Sequence, residues 1–202
     1  STNNSSFQPL LDVSSSDSGI LDNGLELVSL GGRELPHAVM MLMPEAWENV
    51  RDLDPQIKAF YRYHATLMEP WDGPAAICFS DGRVAGMTLD RNGLRPATWL
   101  VTHDGLVVAA SEAGALEMEP ERVKQKGRLG PGQMVVADLQ YNKLWKNDEI
   151  KLHYAARRPY AHWVSEYIRP LTSPRSAPSQ GEGVVTLSLP LPAAQSLFGY
   201  TD

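Results

Sequence analysis

The chain has 202 residues, 43% of them hydrophobic and 21% charged, with a net charge of −6; that is globular composition, with room for one domain and a tail or for two small domains. The acidic balance and the lack of any Lys/Arg run argue against phosphate-backbone binding, so no nucleic-acid partner is expected. A single cysteine excludes a disulfide framework and points to a reducing compartment, the cytoplasm, while no apolar run approaches the roughly 20 residues of a membrane span and no basic-then-apolar leader opens the sequence.

Residues 1–6 are small and polar and read as disordered. Residues 10–13 lead into Ser14-Ser-Ser-Asp-Ser18, after which Ile20, Leu21, Leu25 and Val28 recur at helical spacing until Gly31-Gly32. Ser16, Asp17 or Ser18 is the natural N-cap, since each offers an oxygen to an orphan N–H of the first turn. A short apolar helix is predicted over 36–43, stopped by Pro44. Asp54-Pro55 opens a longer one, with Ile57, Phe60, Tyr61, His64, Leu67 and Met68 on one face and Glu69-Pro70 at its end.

Two apolar runs, 74–79 and 84–89, flank Ser80-Asp81-Gly82-Arg83 and predict a hairpin turned by Asp-Gly in a type I′ turn. The first run is apolar nearly throughout, which predicts a strand buried on both faces with Cys78 inside it. Asp90-Arg-Asn-Gly-Leu-Arg-Pro96 is too polar and too rich in turn formers to continue the ladder. Asn92-Gly93 permits a turn, and Pro96 biases Arg95 towards extended backbone. Asp90, Arg91 and Arg95 are expected to pair with each other or with carbonyls, giving either a structural clamp or the edge of a site.

Strands over 97–102 and 106–110 flank His103-Asp104-Gly105, a second hairpin, and Ser111-Glu112 begins a short helical turn. Residues 119–128 read as a charged connection, and Gly130-Pro131-Gly132 punctuates before a strand over 133–138. Tyr141-Asn142 turns the chain into a short strand at 144–145. Asn147 caps a helix to about Arg157, Pro159 breaks it, and 160–168 form another. From 170 to 192 the chain is rich in Pro, Ser and Gly and reads as a linker, followed by a helix start over 193–200. The order predicts an α+β layered domain over 1–170, its sheet formed mostly by a meander over 74–110 with 133–138, and a linker over 171–202.

No metal site is expected, because the five histidines lack ligand spacing. His64, on an apolar helix face, reads as a satisfied core histidine. Neither a Gly-x-Ser-x-Gly elbow nor a Gly-rich phosphate loop occurs, so no catalytic residue is assigned. Asp17 either caps its helix or presents a carboxylate to a substrate ammonium.

The segments Leu35-Pro-His-Ala-Val-Met-Met-Leu-Met-Pro-Glu-Ala-Trp47, Tyr63-His64, Met68-Glu-Pro-Trp-Asp-Gly-Pro-Ala75, Asp90-Arg-Asn-Gly-Leu-Arg-Pro96, Ala110-Ser-Glu112, Lys126-Gly-Arg128, Pro131-Gly132 and Phe198-Gly-Tyr-Thr-Asp202 follow one another along nearly the whole chain. In that order they resemble the large subunit of glutamate synthases and, more weakly, the wider class II glutamine amidotransferases such as amidophosphoribosyltransferase. The resemblance implies an incomplete four-layer αββα sandwich of the N-terminal-nucleophile hydrolase type, mainly antiparallel. It also implies the chemistry: a terminal cysteine attacks the glutamine side-chain amide, its own α-amino group is the base, and an Asn-Gly pair forms the oxyanion hole. Here Cys78 is internal, Asn23-Gly24 and Asn92-Gly93 lie in other contexts, and the stretch after Ser1 is not the strand a terminal nucleophile needs. The chain is therefore expected to match the second half of a glutaminase domain plus a linker, inactive alone.

Asp17 matches the aspartate that holds the glutamine α-amino group. Asp90, Arg91, Asn92, Gly93, Arg95, Ser111 and Glu112 match structural or site-edge positions. The resemblance further implies a parent enzyme that passes ammonia to 2-oxoglutarate, with FMN and an iron–sulfur cluster in other domains and none in this chain. Its implied partners are glutamine, the remaining synthase domains and a reductase subunit or ferredoxin; its implied location is the cytoplasm or a plastid stroma. The alternatives are a non-catalytic interaction or regulatory module of the same fold, or a piece of amidophosphoribosyltransferase.

Overall fold

In the computed structural model the described residues are Leu11 and 14–169, and all the elements below belong to the unit Ser1–Ile168. The expectations for residues 1–6 and 10–13 (Leu11 apart), the linker, the helix start over 193–200 and the Phe198–Asp202 motif fall outside them.

Local chemistry explains the helices. Helix α1 (Asp17–Leu30) starts where the Ser16 hydroxyl accepts from the Gly19 N–H at 3.3 Å and stops at Gly31. Its buried face is Leu21, Leu25 and Val28. After α2 (Leu35–Leu42), α3 (Pro55–His64) is opened by Asp54, whose carboxylate accepts from the Gln56 N–H at 2.8 Å, and it buries Ile57, Phe60, Tyr61 and His64. It ends at His64, one turn short of the expected Met68. Helix α4 (Asn147–Ala155) is capped not by Asn147 but one residue earlier, where Glu149 accepts from the Lys146 N–H; the Asn147 amide oxygen instead accepts from the Met134 N–H of a neighbouring strand. Helix α5 (Tyr160–Tyr167) follows the break at Pro159.

The strands form two antiparallel sheets. The first has the order β1 (Ala76–Ser80), β2 (Val84–Leu89), β6 (Met134–Asp138), β7 (Lys143–Trp145). The second has the order β4 (Val107–Ala110), β3 (Thr98–Thr102), β5 (Val123–Arg128). Alternation along β6 shows how the layers stack: Met134 and Val136 join the helical core, whereas Val135 joins Met87, Leu89, Ala97 and Leu129 with Trp99 packed against them. The helices thus cover one face of the first sheet, and the second sheet covers the other. This is an α+β fold of the incomplete αββα type, with no helix among the described residues over the outer face of the second sheet.

Several expectations are corrected. The predicted meander is not one sheet: β1 and β2 belong to the first and β3 and β4 to the second, with the Asp90–Pro96 stretch as the crossing between layers. Among the described residues β1 is an edge strand, and Cys78 is exposed rather than buried on both faces. The hairpin forms, but Ser80 pairs with Ala85, which puts Gly82-Arg83 at its centre. Only Gly82 has positive φ (85°), as in a type II′ turn, while the Asp81 carboxylate accepts from the N–H groups of Arg83 and Val84. The charged connection over 119–128 contains β5, whose Lys/Gln/Lys pattern suits an exposed sheet edge. Ser111-Glu112 does open the expected turn, closed by the Ala115 N–H on the Glu112 carbonyl at 3.4 Å.

Candidate functional site

The crossing between the sheets is organised by Asp90, 3% exposed at the end of β2. One carboxylate oxygen accepts from the Ala75 N–H at 3.0 Å and the other from the Asn92 N–H at 2.9 Å. The Asp90 N–H donates to the Ala75 carbonyl at 3.0 Å, and its own carbonyl accepts from Gly93 at 3.1 Å and Gly132 at 2.8 Å. Both glycines are required. Gly93 (φ 60°) lies so close to Pro131 that a Cβ would fall 2.7 Å from its Cα, and Gly132 (φ 64°) stands against Glu45 in the same way, 2.6 Å from its Cα.

Behind this corner lies a residue that the sequence reading missed. Lys151, 1% exposed on α4, donates to the Gly132 carbonyl at 2.7 Å and pairs with Glu45 at 2.8 Å. Burial lowers its pKa, and the Glu45 charge opposes that shift. Tyr61, buried beside Glu45, has its phenol pushed well above the ordinary range, first by burial and then by that carboxylate. The signal was present in the sequence, since Lys151 follows Ile150 and precedes Tyr154 and Ala155 on the apolar face of α4.

The corner is therefore a clamp, though not the expected one. Asp90 pairs with neither arginine, because backbone amides already occupy both its oxygens. Arg91 reaches outward to Asp72 at 2.9 Å, an exposed pair. Asn92 and Arg95 are exposed on the turn. Ser111 and Glu112 are also exposed, and Glu112 borders a depression over the second sheet rather than the Asp90 corner. Asp17 lies in the first turn of α1, exposed, with the capping done by Ser16. Beside it a groove of about 1020 Å³ runs between α1 and β1, lined by Ser16, Ser18, Leu25, Ile77, Cys78 and Phe79 among others. Among the described residues no hydrogen bond or ion pair joins Asp17, Asp90 and Glu112.

Two further polar clusters brace the helical layer. His64 is the satisfied core histidine expected: Nδ1 bonds the Phe60 carbonyl at 2.8 Å, and Nε2 meets His37 Nε2 at 3.0 Å. The pair shares one proton between facing nitrogens, and burial holds His37 at about 3 and His64 at about 4. Glu34 collects Arg157 at 2.6 Å, Tyr154 at 2.8 Å and Arg83 at 2.9 Å. Desolvation raises the Glu34 pKa, but these donors outweigh it and hold the group at about 2.

Residues 1–163 match the family of class-II glutamine amidotransferases. The chain belongs to that family. It is 46% identical over 158 residues to the NADPH glutamate synthase large chain of Bacillus subtilis, covering 78% of this chain and 10% of that protein. To the ferredoxin-dependent glutamate synthase of Cyanidium caldarium it is 44% identical over 206 residues, 98% of this chain and 13% of the other. To the chloroplastic ferredoxin-dependent glutamate synthase 2 of Arabidopsis thaliana it is 45% identical over 168 residues, 82% and 10%. The chain thus spans about a tenth of the length of these relatives. An iron–sulfur cluster is held mainly by several cysteine thiolates, and one cysteine, exposed on β1, does not fit that need. Among the described residues no helix is long and apolar enough to cross a membrane.

Proposed function

We propose that this chain supplies part of the glutamine cradle in the glutaminase domain of a glutamate synthase, with residues 1–170 in that domain and 171–202 a linker. What carries the reading is the 44–46% identity to glutamate synthases over most of the chain. In the complete enzyme the glutaminase releases ammonia from glutamine, and the ammonia converts 2-oxoglutarate to glutamate. FMN and an iron–sulfur cluster in other domains supply the reducing electrons. The electron source is a reductase subunit or ferredoxin, and the location is the cytoplasm or a plastid stroma.

Within this chain Asp17 is the residue assigned to substrate. Ser16 satisfies the helix cap, which leaves the Asp17 carboxylate to face a glutamine ammonium. One exposed ion pair contributes only about 0–1 kcal/mol, and the positive end of the α1 dipole weakens its pull on a cation. The other end of the ligand must be held by other groups. The clamp built on Asp90, Gly93, Gly132 and Lys151 fixes the crossing between the two sheets. Cys78, internal and exposed, has no α-amino group of its own to take its proton, so the chain by itself releases no ammonia.

The test is an ammonia-release assay on the purified chain with glutamine, run beside Ser1→Ala. Release above that control overturns the assignment of Ser1 as a bystander and of the chain as a cradle only. If the complementary half of the glutaminase restores turnover in trans, Asp17→Ala weakens glutamine use far more than Glu112→Ala. Equal effects remove Asp17 from the site.

A further inference from the structure

One end of the helical layer holds a cleft that neither the glutaminase reading nor the Asp90 clamp uses. On α4, Ile150, His153 and Tyr154 share one face at helical spacing, and Arg157 continues that face just past the helix end. Opposite them stands one face of the first sheet. Val84 pairs with Asp138, Asp138 with Lys143 and Val136 with Trp145, so alternation puts these side chains on the same side. Between helix and sheet lies a cavity of about 400 Å³. Its floor is buried and apolar, formed by Val84, Val136 and Ile150; half-buried Trp145 and Tyr141, 66% exposed, wall it.

Five charged side chains also line the cleft, Arg83, Lys143 and Arg157 against Glu34 and Asp138. That leaves one positive charge in excess, in a chain that carries −6 as a whole. The pairings show where the excess sits. Glu34 takes both guanidinium groups, Arg83 at 2.9 Å and Arg157 at 2.6 Å. Asp138 accepts from the Gln140 and Tyr141 N–H groups at 3.0 and 3.1 Å and lies 3.7 Å from Arg83. His153 adds no charge: its Nε2 accepts from Arg157 at 3.0 Å, and burial, then the Arg157 charge, lowers its pKa. Lys143 alone of the five has no ion pair among the described residues; its exposed ammonium stands 3.4 Å over the Trp145 ring. The ring face holds that ammonium at the mouth of the cleft.

We infer that this cleft binds a small aromatic carboxylic acid carrying a single negative charge. The carboxylate pairs with Lys143, whose ammonium is already held over Trp145, so little side-chain freedom is lost on binding. The ring of the ligand covers Trp145 and Tyr141 above the apolar floor and takes their surface out of water. The single charge follows from the same lining. Glu34 and Asp138 border the cleft, so a second carboxylate or a phosphate dianion meets them as like charges, while both arginines are already paired with Glu34. Lys143 at the mouth disfavours an amine for the same reason.

The test uses the whole 202-residue chain with 3-phenylpropionate, its neutral amide of the same shape, acetate and inorganic phosphate as probes. Binding is read by isothermal titration and by the NMR shift of the Trp145 indole N–H, assigned with Trp145→Phe. The acid is expected to bind with a Kd of about 1 mM, in keeping with its size. It should bind about fivefold more tightly than the amide, the yield of one half-open ion pair, with the gap closing as salt rises. Lys143→Gln removes the preference for acid over amide, and Lys143→Arg keeps it. Tyr141→Ala weakens acid and amide alike by about threefold. Lys143 and Tyr141 are both exposed, and circular dichroism checks that each variant is folded. No shift of the Trp145 indole at about 20 mM acid, equal binding of acid and amide, or a preference unchanged in Lys143→Gln overturns the inference. So does an acid affinity unchanged in Tyr141→Ala. Acetate or phosphate binding as tightly as the acid also overturns it, because the cleft would then take any small anion.

Discussion

Asp90→Ala tests the clamp most directly. Its carboxylate is 3% exposed, and each oxygen takes one backbone N–H, from Ala75 and from Asn92. A hydrogen bond to a charged group is worth about 1.5–3 kcal/mol, and removal leaves both amides without an acceptor. The expected loss is about 3–5 kcal/mol, a large part of the roughly 5–15 kcal/mol of a typical domain. Asp90→Asn keeps one acceptor oxygen but turns its NH2 towards the other N–H, so its cost falls between wild type and alanine. Arg91→Ala is the control: its pair with Asp72 is exposed at both ends, and the change costs under about 1 kcal/mol. The assay is equilibrium urea unfolding followed by tryptophan fluorescence, comparing variants at constant m. Hydrogen exchange at the Ala75 and Asn92 amides supplies a local readout, and both amides should exchange faster in Asp90→Ala. A loss within about 1 kcal/mol of the Arg91→Ala value would refute the hub, as would unchanged exchange at both amides.

Lys151→Met leaves Glu45 and the Gly132 carbonyl without their buried partner and should cost about 3–5 kcal/mol in urea; adding Glu45→Gln should recover part of it, and a double variant no more stable than the single would remove the ion pair as the cause. Acid lability follows from His37 and His64, held at about 3 and about 4 against an ordinary 6.5. The unfolded chain takes up protons below 6.5 and the folded one resists, so stability falls from pH 6.5 downward by at most about 1.4 kcal/mol per pH unit for each imidazole. Glu34, held at about 2 against 4.5, adds stability present above 4.5 that is lost as pH falls towards 2. Urea midpoints from pH 7 to pH 4 check this, with His64→Gln flattening the upper part; a flat wild-type profile between 7 and 5 would contradict the neutral pair. Cys78, exposed on β1, should react fully with an aromatic disulfide reagent in the native chain, and protection until unfolding would mean that the β1 edge is covered.

Sequence alone determined most of the elements, because their signals are local. Asp54-Pro55 with apolar residues at helical spacing is enough for α3, and Gly82 after Asp81 is enough for a hairpin, since caps and turns are satisfied by neighbours a few residues away. The family motifs were equally legible, and they singled out Asp17 and the Asp90–Pro96 stretch as candidates. The partners of those elements could not be read. A run such as 74–79 has the same composition whether it lies inside a sheet or at its edge; among the described residues no strand pairs beyond β1, and Cys78 is exposed there. Likewise β5 reads as charged connection until β3 supplies its hydrogen-bond partner. Asp90 beside two arginines suggests ion pairs, but backbone amides from Ala75 and Asn92 reach its oxygens first. Lys151 breaks the burial rule in sequence and obeys it in space, because Glu45 and the Gly132 carbonyl arrive from distant parts of the chain to hold its charge. Elements follow from local backbone preference, whereas burial and pairing depend on which distant groups the fold brings into contact.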